Sequence, residues 1–201
     1  GPNTLLRLNR LWGHPSKRRF SRRRQSYRAN ICSGLNNLWH LMKSQQVPSN
    51  QSEWMVTNES PDGYSLMHMT GQTQDPHVGD IVALQALGDH SELATTWHVC
   101  IVRWAVSENP EHIELGLQIL APKATAVEIT HTHALESCKI AALILAPTPP
   151  LRPTQSLVVP AGLLRENTRR IIVVIEADNL EIREVQATSL DEQTSTIEIF
   201  S

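Results

Sequence analysis

From Glu53 onward the chain alternates short apolar segments with turn residues: EWMVT, YSLMHM, DIVALQAL, TWHVCIVRWAV and HIELGLQIL. Segments of this length, rich in β-branched and aromatic residues and bounded by Gly, Asp, Asn and Pro, predict antiparallel sheet rather than helices. Five or six such strands in about 95 residues predict a small closed barrel, the arrangement that leaves no strand edge open. PKATAVEI then carries the chain off the barrel, and TPPLRPT (148–154) reads as a stiff proline-rich connector. A second block follows, KIAALILA, QSLVVPAGLL, RRIIVVIEA, LEIREVQATSL and STIEIF, again of strand type, with Asp178-Asn179 suited to a tight hairpin.

The first fifty residues are patterned differently. Leu5, Leu8, Leu11 and Trp12 fall at helical intervals and predict a short amphipathic helix stopped at Gly13-His14-Pro15. SKRRFSRRRQSYRAN has no period and reads as a flexible basic segment. GLNNLWHLMKSQQ fits two templates: Leu35, Leu38, Trp39 and Met42 suit a helix face, whereas Ile31, Trp39 and Leu41 suit an extended strand, which we favour because sheet follows. The expectation is a mainly all-β protein: a basic flexible arm over 1–21, a closed antiparallel barrel of five or six strands over 22–130, and a second small β module over 131–201 of unknown role.

Composition changes this picture at two points. Apolar residues make up 40% and charged residues 19% of the 201 positions, as in an ordinary globular protein, and no stretch approaches the roughly 20 apolar residues of a membrane span. The net charge of −2 conceals a sorted distribution. Residues 1–28 hold nine cations (Arg7, Arg10, Lys17, Arg18, Arg19, Arg22, Arg23, Arg24, Arg28) and no carboxylate, so the other nine cations face all twenty carboxylates and leave the remainder at −11. A basic arm on an acidic body predicts contact with phosphates or an acidic surface, although a basic run alone is also what a solvated leader looks like. Cys32, Cys100 and Cys138, odd in number and irregularly spaced, predict buried thiols in a reduced, cytoplasmic chain. Gly1-Pro2 has the form left by proteolytic removal of a tag and predicts natural sequence upstream.

One turn carries more than turn chemistry. TNESPDGYSL (57–66) contains Asn58-x-Ser60-x-x-Gly63, and three uses compete for it: a plain turn, a glycosylation acceptor at Asn58-Glu59-Ser60 that a reduced chain disfavours, or half of a ligand clamp. A partner half lies upstream, in RRRQSYRAN, where Arg24 and Arg28 form Arg-x-x-x-Arg. That spacing has no weight alone, because Arg18 with Arg22 and Arg19 with Arg23 match it too. Together the two halves resemble the two-part motif of the PilZ domain, over roughly residues 22–121, with CIVRW and ELGLQIL similar to the closing strands of that family's six-stranded barrel.

The resemblance implies a bacterial receptor for cyclic di-GMP that has no enzymatic activity, needs no cofactor and signals to an effector protein. The ligand carries two phosphodiesters and two guanines. Arginine can grip phosphate oxygens with its planar fork and can meet guanine O6 and N7 in bidentate fashion. Arg24 and Arg28, just ahead of the first strand, would therefore wrap the ligand against the barrel and become ordered as they do so. Arg23 would add a stacking or phosphate contact. Asn58 and Ser60 would offer polar groups to a guanine edge, and Gly63 a positive φ or a close backbone approach. Trp104 would form part of the guanine-contacting wall; by pattern alone it is a barrel core residue. Asn at position 58, where Asp is commoner, loses a carboxylate but keeps an acceptor oxygen.

Other chemistry is thin. His131, His133 and Cys138 offer three metal-type side chains without a fourth at suitable spacing, so no metal site is expected, and no nucleophile elbow, phosphate loop or carboxylate pair stands out. Asp75, Asp80 and Asp89 read as solvated turn residues. Two rivals stay open: a nucleic-acid binder using the arginine arm, disfavoured by the acidic body and only two Phe and two Tyr, and a degenerate barrel that acts as a scaffold and binds no nucleotide.

Overall fold

The computed structural model describes residues 23–44, 51–68, 76–88, 96–109, 111–131, 139–150, 152–164, 170–176 and 179–201. The expected N-terminal helix and most of the basic arm lie outside these residues, as do Asp75, Asp89, His133 and Cys138.

Six strands form a closed antiparallel barrel, as the pattern predicts: β1 (Arg23–Ser33), β2 (Ser52–Ser60), β3 (Gly63–His68), β4 (Ile81–Ala86), β5 (His98–Asn109) and β6 (His112–Ala121), in the spatial order β1-β2-β3-β6-β5-β4. The barrel interior is filled by alternate residues of each strand, among them Ala29, Ile31, Trp54, Val56, Leu66, Val82, Leu84, Cys100, Val102, Leu115 and Leu117. The intervening residues of β4 and β5, Ile81, Ala83, Val99 and Ile101, are buried as well, which is why these two strands read as unbroken apolar runs. They face the second sheet.

Two expectations near the N-terminus are corrected. The segment holding Arg24 and Arg28 is not a loose leader ahead of the first strand: Arg23–Ser33 is itself β1, hydrogen-bonded to β2 on one side and β4 on the other. Its inward residues Ala29 and Ile31 are fully buried, and this alternation outweighs the basic flank. GLNNLWHLMKS is not a strand but the helix α1 (Leu35–Ser44). Because β1 closes the barrel between β2 and β4, a seventh strand would find no edge there. The 3–4 spacing of Leu35, Leu38, Leu41 and Met42 lays one helix face on the apolar layer instead. Gly34, at φ +95°, makes the sharp turn out of β1 that side chains disfavour, and the Asn37 amide donates to the Ser33 carbonyl (2.9 Å) at the helix start.

The second sheet has seven strands: β7 (Ala124–His131), β8 (Ile140–Leu145), β9 (Ser156–Pro160), β10 (Arg170–Glu176), β11 (Leu180–Gln186), β12 (Leu190–Gln193) and β13 (Ile197–Phe200), ordered β11-β10-β7-β8-β9-β13-β12. It begins at Ala124, inside the stretch assigned above to the barrel. The strands β10 and β11 that Asp178-Asn179 connects are paired in unbroken antiparallel register.

One apolar layer joins the two sheets, built from Leu38 and Leu41 of α1, Ile81, Ala83, Val99 and Ile101 of the barrel, and Leu143, Leu145, Val158, Ile197 and Ile199 of the second sheet. Polar ties cross the same boundary. The Trp39 indole N–H donates to the Val127 carbonyl (2.7 Å), and Arg103 grips both carboxylate oxygens of Glu192 (2.7 and 3.1 Å). Cys32 and Cys100 are buried free thiols. Burial raises both pKa values, that of Cys32 to about 11. No helix among the described residues is long and apolar enough to cross a membrane.

Candidate functional site

Strand register assembles the site. Arg24 lies opposite Asn58, Asn58 opposite Ser65, Ser65 opposite Gly116 and Gly116 opposite Trp104. These five residues therefore form one transverse row across β1, β2, β3, β6 and β5. Directly opposed residues share a face of the sheet, and since Leu66, Leu115 and Leu117 beside them point inward, Ser65 and Gly116 belong to the outer face. The ladder is irregular along this row: register shifts fall between Arg24 and Tyr27, between Val56 and Asn58, and between Val102 and Trp104. Bulges re-aim side chains and concentrate beside functional sites.

Trp104 is 37% exposed, so it is not the barrel core residue that its pattern alone allows. Its indole lies against the Gly116 backbone, where a Cβ would overlap the ring. The result is an aromatic plate set on the barrel wall over β6, with β3 between it and the strand that carries the half-buried Asn58. Ser65 and Gly116 had no place in the sequence reading. Gly116 had a legible signal, a lone glycine inside ELGLQIL, which marks close approach of another group to a strand.

The motif turn closes the β2–β3 hairpin, with Ser60 paired to Gly63. The Ser60 hydroxyl donates to the Asp62 carboxylate (2.5 Å), and the Ile119 N–H donates to the Asp62 carbonyl (2.8 Å). Ser60 thus shapes the turn. A Cβ on Gly63 would overlap the Leu117 carbonyl oxygen, and Gly63 is not among the positive-φ glycines. Of the two expected reasons for this glycine, close backbone approach is the one found. Asp62 also borders a polar cleft with Arg103, Arg152, Asp191 and Glu192, between the barrel and the second sheet.

Arg28 lies on another row, opposite Met55, which in turn faces Met67. Its guanidinium meets the Glu53 carboxylate at 3.3 Å, with the two side chains 63% and 44% exposed. So exposed a pair is worth little, and a phosphate can displace the carboxylate at small cost. Arg23 lies opposite Glu59, whose carboxylate accepts from the Tyr27 hydroxyl (2.8 Å). Burial first, then that bond to Glu59, raises the Tyr27 pKa, so the phenol stays a neutral donor. Near the same end of the barrel interior, the Tyr64 hydroxyl sits 3.1 Å from His98 Nδ1, and burial lowers the His98 pKa. Among the described residues no cluster of His, Cys, Asp and Glu could hold a metal ion.

Residues 40–126 match the family model described as the middle PilZ domain of the cyclic-di-GMP receptor FimW. The match contains Asn58, Ser60, Gly63 and Trp104, and it begins after the arginines of β1. No curated protein matches the chain. Among solved structures the chain is similar to the PlzA protein of Borreliella burgdorferi, crystallised in complex with c-di-GMP, at 12% identity and a TM-score of 0.33 over 98% of this chain and 91% of that one. The match to the family model spans β2 to β6 of a closed six-stranded barrel, so over residues 40–126 this chain is similar to a PilZ domain.

Proposed function

We propose that this protein is a cyclic di-GMP receptor of the bacterial cytoplasm, a binding protein rather than an enzyme, with its ligand seated on the outer barrel face. The observation that carries the reading is the transverse row: the register positions of Arg24, Asn58 and Trp104 coincide on one line of the wall, and the ladder shifts at three points along it. The PilZ match supports the same ligand.

In this reading Trp104 stacks on one guanine, an interaction worth about 1 to 3 kcal/mol per base. Asn58 presents its amide to a guanine edge. Arg28 exchanges Glu53 for a phosphodiester, a charge-assisted and bidentate contact, and Arg23 and Arg24 supply further cations from the same strand. Ser60 and Gly63 act by holding the turn that sets Asn58. Since Arg24 and Arg28 already belong to β1, ordering on binding would be confined to residues upstream of Arg23. Neutralising that arm changes the surface an effector protein meets, which would be the output.

Calorimetric titration with cyclic di-GMP, with GTP and with a short oligonucleotide tests this at low and high salt. Saturable heat is expected for cyclic di-GMP alone, abolished in Arg28→Ala and weakened in Ser60→Ala. Unchanged binding in both variants would sink the site. Affinity for every polyanion alike, falling steeply with salt, would favour the nucleic-acid reading.

A further inference from the structure

The two edges of the second sheet are built differently. The strand β12 has four residues and a register shift between Leu190 and Glu192. It is also pinned to the barrel by Arg103 through Glu192. Shortness, a bulge and an anchoring charge pair are ways of blunting an edge. At the other edge, β11 runs seven residues, LEIREVQ, in unbroken register with β10, and among the described residues its far side hydrogen-bonds to no other strand. It contains no Pro, Gly or Lys. Leu180 and Ile182 on it are 65% and 64% exposed, and they share a face with half-buried Val174 of β10.

The residues of this edge complement themselves. When two antiparallel copies of β11 meet with Ile182 opposite Ile182, Glu181 of each copy falls opposite Arg183 of the other, on the face away from Ile182. Opposed residues must share a face, so the two-fold axis has to pass through a residue position. Registers centred on Glu181, Arg183 or Glu184 set like charges against each other. The Ile182-centred register instead gives two ion pairs, an isoleucine pair, and two contacts of Leu180 with the aliphatic part of Glu184. Within one copy Glu181 and Arg183 already pair with each other, so both are held on that face, ready to exchange partners.

We infer that two copies of this chain associate through β11, edge to edge about Ile182, joining their second sheets into one continuous sheet with two-fold symmetry. The β11 edge lies in the second sheet, apart from the barrel row that forms the candidate ligand site, so the association requires no nucleotide.

Sedimentation equilibrium of the full chain without nucleotide tests it. A monomer–dimer equilibrium is expected in the micromolar range, weakened about tenfold or more in Glu181→Arg or in Arg183→Glu, each of which sets like charges opposite at two symmetric places. The double exchange Glu181→Arg with Arg183→Glu restores the complementary pairs and should restore the dimer. A chain that stays monomeric throughout overturns the inference. So does a dimer indifferent to Glu181→Arg, or a double variant that melts like the parent yet remains monomeric. If the double variant does not fold, Ile182→Lys decides: loss of the dimer supports the β11 contact, and its persistence removes it.

Discussion

At the scale of single residues, the proposed site depends on glycines as much as on its polar groups. Trp104 packs against the wall because Gly116 has no side chain. Gly116→Ala should therefore push the indole off the wall, red-shift its emission and weaken cyclic di-GMP binding by about tenfold, within the range that a lost base stack covers. Gly63→Ala meets a backbone oxygen and should instead cost stability, about 1 to 3 kcal/mol by denaturant midpoint. Both glycines were visible in the sequence, but only Gly63 came with a motif. The significance of Gly116 depends on a tryptophan on the neighbouring strand, which spacing along the chain does not reveal. His98 adds a pH dependence. Its folded pKa lies below the ordinary value of about 6.5 because burial disfavours the charged ring. The unfolded chain therefore binds the proton more readily, and stability is full above about pH 6.5 and declines as pH falls through that value toward the folded pKa. The denaturant midpoint should drop between about pH 8 and about pH 5.5, and His98→Gln should flatten that drop.

At the scale of elements, β2 to β6 were legible because their alternation reports local burial. The strand β1 was masked by its arginines: Ala29 and Ile31 point inward as in any barrel strand, but the basic flank resembles a solvated leader. For α1 the pattern permitted two states, and the closed barrel selected one by leaving no edge for a strand. The helix is then held by its contact with the second sheet. Trp39→Phe keeps the packing but removes the donor to the Val127 carbonyl, and should lower stability by about 1 to 2 kcal/mol. Lys43→Ala removes surface contacts, the pair with the Glu176 carboxylate, a bond to the Glu176 carbonyl and a cation–π contact with Trp39, and should change stability by less than about 1 kcal/mol. Equal losses in the two variants would show that the indole bond does not anchor the helix.

At the scale of the molecule, the barrel and the second sheet share one apolar layer, so neither buries its outer face alone. Heat or denaturant should unfold them together, with circular dichroism and tryptophan emission giving coincident transitions; two separated transitions would show that the sheets are independent. A chain cut before Ala124 would expose Leu38, Leu41, Ile81 and Ile101 and is expected to aggregate. The amino-acid sequence by itself determined the β class, the barrel strands from β2 to β6, the second β block and the two halves of the motif, since each is written in nearest-neighbour alternation or in local spacing. Tertiary structure alone decided that Arg24, Asn58 and Trp104 share a row, that Gly116 is the bed of the tryptophan, that α1 is a helix, and that β11 is an edge of its sheet among the described residues. The physical reason is that register, bulges and edges arise from hydrogen bonds between strands tens of residues apart, which no local period encodes.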